Sequence, residues 1–152
     1  MFTKKDLDRF ERFIISQTAI LIRDNKCLIL KVADRQEPMW VLPGGRLDKG
    51  EFKESAFARE LKEELGFENV KVLGVVDYDI WYHDIPKLGI KNWPVCAIVN
   101  LIEDSSQEIK LSSEHSEIAW VSEDDLEKYN FIWPKAKRMI KNAFAYYKLL
   151  NK

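Results

Sequence analysis

Apolar and polar positions along the chain follow two different periods, and the changeovers mark out its elements. Residues 14–22 and 27–32 are runs of strand-forming residues separated by Asp24 and Asn25, the pattern of a hairpin. A polar stretch over residues 34–38 leads into Met39-Trp40-Val41-Leu42-Pro43, extended chain that closes on Gly44-Gly45. A helix is expected to start between residues 53 and 55 and to stop at Gly66, a residue suited to a left-handed C-cap. Residues 70–80 and 95–102 are rich in strand formers, and residues 81–94 between them read as a long aromatic connection carrying Tyr82, His83, Pro86, Gly89 and Trp93. Residues 118–121 make a short strand and residues 123–128 a helical turn. From Pro134 onward Ala136, Met139, Ile140, Ala143, Phe144 and Tyr147 keep helical spacing. At the start of the chain, Leu7, Phe10 and Phe13 suggest a short amphipathic helix over residues 3–13. With no internal repeat, low-complexity tract or linker, residues 1–152 read as one α/β domain.

Composition narrows the partners. Lys+Arg number 24 and Asp+Glu 25, a formal charge of −1, with 46% hydrophobic and 32% charged residues. These are globular values, and a near-neutral chain lacks the basic surface that a polymer of nucleic acid requires, so such a partner is not expected. Cys27 and Cys96 each lie inside apolar runs and form neither a disulfide framework nor a metal site. No stretch is apolar enough to span a membrane, and the first residues lack the apolar core of a signal peptide, so a cytoplasmic protein is expected.

The segment after Gly45 carries the chemistry. At 100° per residue, Phe57, Leu61 and Leu65 form an apolar stripe, and Glu60, Glu63 and Glu64 converge beside it at i, i+3 and i+4. Like charges at that spacing cost roughly 0.2–0.5 kcal/mol per pair, and acids in a last helical turn oppose the helix dipole. Such an arrangement calls for a compensating cation, and hard carboxylate oxygens suit Mg²⁺ or Mn²⁺.

The run Gly45, five residues, Glu51, seven residues, Arg59-Glu60-Leu61-Lys62-Glu63-Glu64-Leu65-Gly66-Phe67 resembles the Nudix box at every fixed position. The resemblance implies a Nudix-type α/β/α sandwich with a mixed β-sheet and metal-dependent hydrolysis of a nucleoside diphosphate linked to another group. It also implies that Glu60, Glu63 and Glu64 are metal ligands, joined by the Gly44 carbonyl, that Arg59 orients Glu60, and that Glu51 assists the metal shell. The physical chemistry agrees: cations bridging a diphosphate neutralise its charge and activate water, while a free carboxylate accepts a proton.

Outside the box, residues 114–117 lie just before the strand at residue 118, where the resemblance implies an acid that adds a metal ligand or the catalytic base, and Glu117 is preferred to Glu114 for it. Trp81 and Tyr82 are candidates to stack on a base, with Trp93 in reserve. His83 and Arg46 are candidates to meet phosphate or base, and Trp40, Trp120 and Trp133 are assigned to core or rim. The substrate class expected is a small nucleotide, a nucleoside or deoxynucleoside triphosphate or a relative. The alternatives are a nucleotide sugar of the GDP-mannose kind and a non-catalytic nucleotide-binding module. The aromatic C-terminal helix would serve a homodimer as well as a core.

Overall fold

In the computed structural model, residues 3, 4 and 8–152 are described. The elements are β1 (Ile14–Arg23), β2 (Lys26–Val32), β3 (Trp40–Val41), β4 (Gly44–Arg46), α1 (Lys53–Leu65), β5 (Val72–Ile85), β6 (Ile90–Ile102), β7 (His115–Val121) and α2 (Ala136–Leu150). Short 3-10 turns lie at Pro86–Leu88 and Glu123–Lys128. β1 and β2 form the expected hairpin, and its two linking residues, Asp24 and Asn25, both take positive φ (49° and 58°), which matches the twist of the flanking strands.

β1 is the hinge of the sheet. It pairs parallel with β6 along most of its length and antiparallel with β4, and β5 completes that half beyond β6. Past its first two residues β2 leaves β1 and builds the other half, with β7 along one edge and β3 on the other. Because β1 and β2 are central, both their faces are buried. Ala19, Leu21, Leu28 and Leu30 pack under Phe57, Leu61 and Leu65 of α1, while Ile20, Ile22, Cys27 and Ile29 pack under Met139, Ile140, Ala143 and Phe144 of α2. The result is the α/β/α sandwich with a mixed sheet. Helix α1 ends as expected: Gly66 sits at φ 72°, and its N–H donates to the Lys62 carbonyl at 2.9 Å.

Two sequence expectations need correction. Residues 81–94 are not a long loop. β5 and β6 run on as a hairpin to a tight turn at Pro86–Leu88, pairing Trp81 with Val95, Tyr82 with Pro94 and His83 with Trp93. Pro94 misleads there because a proline interrupts most strands. It is tolerated because it precedes the first pair of β6 with β1, Ile14 with Val95, which leaves one side open. The amphipathic helix over residues 3–13 falls partly outside the described residues, Leu7 included. Within them, residues 8–13 are turn and extended chain, with Phe10 and Phe13 exposed.

Candidate active site

The site begins where β4 passes the last turns of α1. Gly44 and Gly45 pair with Thr18 and Gln17 of β1, so the strand is pinned on one side. On the other side the helix carboxylates reach it: Glu64 Oε2 accepts from the Gly44 N–H at 2.7 Å. A Cβ on Gly45 would stand 2.1 Å from Glu60 Cδ, so only a glycine lets that carboxylate lie against the strand. Gly44, at φ 134°, is fixed for a different reason, since a Cβ there would stand 2.1 Å from the Gln17 carbonyl oxygen.

Arg59 organises the acids. Its Nε and Nη2 donate to Glu51 Oε1 and Oε2 at 2.9 and 3.0 Å, and Nη1 donates to Glu60 Oε1 at 3.0 Å and Glu63 Oε2 at 3.3 Å. Nη2 also reaches the Arg46 carbonyl at 3.3 Å. The bidentate Glu51 pair aims the guanidinium, and the Arg59 bonds, aided by the Asp48 N–H, hold the Glu51 carboxyl below its usual range. Glu51 therefore acts on the site by positioning Arg59.

Glu64 is the outlier. Burial, opposed by the Gly44 N–H and reinforced by repulsion from Glu60, Glu114 and Glu63, pushes its carboxyl up to about 7. His115 Nε2 lies 3.9 Å from Glu64 Oε1, and burial lowers the imidazole pKa, so the neighbour is neutral near pH 7 and offers little charge compensation. Ser112 Oγ stands 3.4 Å from the other ring nitrogen.

As they stand, the carboxylates do not converge on one point. Glu60 and Glu63 lean to Arg59 and Glu64 to the strand, and among the described residues no three acidic or thiol or imidazole groups cage an ion. The donor set nevertheless suits a hard divalent cation: all its ligating atoms are oxygens, Glu63 is exposed, and burial beside other acids makes the ionised form of Glu64 costly without a positive charge nearby.

Beside this acidic patch lies a pocket of about 330 Å³, reached over Gly44 and Arg46 and walled by Trp40, Trp81, His83 and Trp133. Trp81 and Trp133 meet at 4.4 Å between ring centroids, tilted by 44°. The structure thus brings together three of the expected substrate residues, Arg46, Trp81 and His83. Tyr82 points to the opposite face, as strand alternation demands, and is exposed. Trp40 is buried in the core and Trp133 packs against it, as expected, and both also wall the pocket, a second role that local sequence does not show.

Glu117 is displaced as well. It pairs with Lys31 at 3.0 Å on the face of the sheet that α2 covers, away from α1. A bulge between Lys31 and Val32 brings His115 opposite Val32, so His115 and Glu114 are the members of that segment that act on Glu64.

Comparison with known proteins agrees with this geometry. The family model for the NUDIX domain matches residues 14–143. An RNA pyrophosphohydrolase of Pelagibacter ubique is 34% identical over 121 residues, covering 71% of this chain and 73% of that protein. The nucleoside triphosphatase NudI of Escherichia coli is 30% identical over 124 residues, covering 73% and 83%. Among solved structures, a MutT protein from Methanosarcina mazei superposes with a TM-score of 0.69 at 22% identity, over 91% of this chain and 97% of that one, which speaks to the fold. With box, fold and relatives in agreement, the chain belongs to the Nudix family. It is a Nudix hydrolase, acting on the phosphoanhydride bonds of nucleotides.

Proposed function

We infer that the chain is a Mg²⁺- or Mn²⁺-dependent pyrophosphohydrolase of small nucleotides, nucleoside or deoxynucleoside triphosphates or closely related diphosphate derivatives. The observation that carries this reading is the shared strand β4. Gly44 faces the carboxylates of α1, and Gly44 and Arg46 also line the aromatic pocket, so one ligand spans both with its diphosphate at the acids and its base against Trp81 and Trp133.

In this reading Glu60, Glu63 and Glu64, with the Gly44 carbonyl, hold the cation. Bound there, it would neutralise the diphosphate oxygens and make a water more acidic. Arg59, aimed by Glu51, holds Glu60 and Glu63 in place and relaxes its grip on Glu63 when that side chain is drawn inward. Burial brings the Glu64 carboxyl up to about 7, and a cation held beside it would favour its ionised form. In this reading Arg46, beside Gly44, meets the phosphate chain, and His83, beyond Trp81 along β5, lies at the far end of the pocket. We read residues 1–152 as one Nudix domain of the cytoplasm, in keeping with two free cysteines and with the lack, among the described residues, of a helix long and apolar enough to cross a membrane.

The test is a substrate panel of nucleoside and deoxynucleoside triphosphates and nucleotide sugars, with and without chelator, run in ¹⁸O-labelled water with products resolved by mass. Label on a phosphoryl product and loss of activity with chelator are expected; label on a released sugar would mean attack at carbon and a different enzyme. The Pelagibacter relative favours a second reading, in which the same bond is cut at the triphosphorylated end of an RNA. A triphosphorylated oligonucleotide placed beside free nucleotides in that panel separates the two, and a net charge of −1 favours the free nucleotides.

A further inference from the structure

Helix α1 covers only part of the sheet face on which it packs. Ala19, Leu21 and Ile102 lie beneath it, but toward the start of β1 the same face continues bare. Among the described residues no helix covers that end, where strand register lays out cross-strand rows of buried, half-buried and exposed side chains: Gln17, Ile98 and Tyr78, then Ile15, Cys96 and Ile80, then Pro94 with Tyr82, next to Phe13. Tyr78, Ile80, Tyr82 and Phe13 are 68%, 47%, 58% and 36% exposed. Gln17 at one margin bonds the Lys53 carbonyl, which leaves Phe52 exposed at the rim. The opposite face of β5 has no such surface, since Asp77 and Asp79 pair there with Arg138 and Lys135 and Trp81 packs on Trp133.

We propose that this patch joins two copies of the chain, face to face about a two-fold axis. A two-fold contact sets each residue against its own kind or a near neighbour, so charge near the axis is repelled, and these rows contain none. At the helix end Lys53 and Glu54 pair at 2.9 Å, and the hairpin holds Asp84 and Lys91, so neither end bears a single sign of charge that a second copy would repel. A polyanion or an anionic membrane would require a basic border instead. Three irregularities in the β5–β6 ladder twist the edge of β5, which disfavours edge pairing and leaves the face as the contact.

The four most exposed side chains offer roughly 400 Å² of apolar area, and with the half-buried members of the rows two copies cover on the order of 1,000 Å² in total, the low end of specific interfaces. An interface of that size is typical of weak, transient association. On α2, Met139, Ile140, Ala143 and Phe144 fill the core, and the exposed Leu149 and Leu150 are confined to its last turn.

Sedimentation equilibrium over about 1 to 500 μM should show the mass rising from 17.9 kDa toward twice that value. Ile80→Glu should weaken association at least about tenfold while leaving the circular dichroism spectrum and turnover unchanged, and Leu149→Glu, on an exposed residue of α2, should leave association alone. A mass that stays at 17.9 kDa throughout, or association that survives Ile80→Glu, overturns the proposal. If Ile80→Glu does not fold, the wild-type protein supplies the answer: alkylation of Cys96, half-buried within the patch, slows as protein concentration rises, and a constant rate counts against the dimer.

Discussion

Two adjacent glycines, Gly44 and Gly45, do different work, and substitution separates them. In Gly45→Ala the new methyl meets only the far end of Glu60, which can move, so the protein should fold normally while kcat falls by about tenfold or more as the carboxylate is pushed off the strand. In Gly44→Ala the methyl meets backbone at a φ that alanine rarely adopts, so thermal stability should fall first. Steady-state kinetics beside a melting curve distinguishes the two. Glu63→Gln and Glu64→Gln should each lower kcat by at least about 10²-fold, on the order of 2.7 kcal/mol of barrier, with the fold intact. On the proposed function, Glu64 should make metal binding depend on pH. Burial pushes its carboxyl up to about 7, above the ordinary carboxylate range, so the folded chain holds a proton that the unfolded chain has lost, and this contribution to stability is lost as pH rises through 7. A cation binds the deprotonated form, so the rise in Tm on adding Mg²⁺ should be larger at pH 8 than at pH 6, and Glu64→Gln should remove that difference. Most of these roles were legible because they sit within one contiguous run from Gly45 to Phe67. His115 and Glu114 were less so, because a bulge decides which residue of their segment faces the helix.

Among the elements, both helices and the first hairpin stand where periodicity puts them, since each buries its own apolar stripe. The β5–β6 hairpin was misread because Pro86, Gly89 and Pro94 punctuate it and its aromatic residues resemble a binding loop; continuous pairing with a neighbour is not visible in local sequence. The correction changes what the aromatic residues do. Alternation sends Trp81 into the pocket and Tyr82 out of it, so Trp81→Ala should raise KM about tenfold, as expected for the loss of a stacking surface worth roughly 1–3 kcal/mol. Tyr82→Ala should leave KM within about twofold. A shared effect of the two variants would place the pocket elsewhere.

At the scale of the molecule, the sheet is buried by two separate apolar layers that meet only through its strands. Leu61→Ala under α1 and Met139→Ala under α2 should each cost about 2–5 kcal/mol, and because they lie on opposite faces their effects should add, bringing the double variant close to the whole stability of an ordinary domain. Urea titration of the two single variants and the double variant measures this. The central pairing of that sheet also governs the order in which it can form. β1 and β2 meet at once through two turn residues, but the longest partnership of β1 is with β6, about half the chain away, and it aligns Ile14 with Val95. Closing so long a loop must precede any reward from the strands it joins, which places this chain among the slow-folding topologies, in milliseconds to seconds. During synthesis β1 leaves the ribosome long before β6 exists, and an apolar strand waits with one edge unmatched; the nascent chain is most exposed to aggregation in that interval, and a holding chaperone would have its greatest effect there.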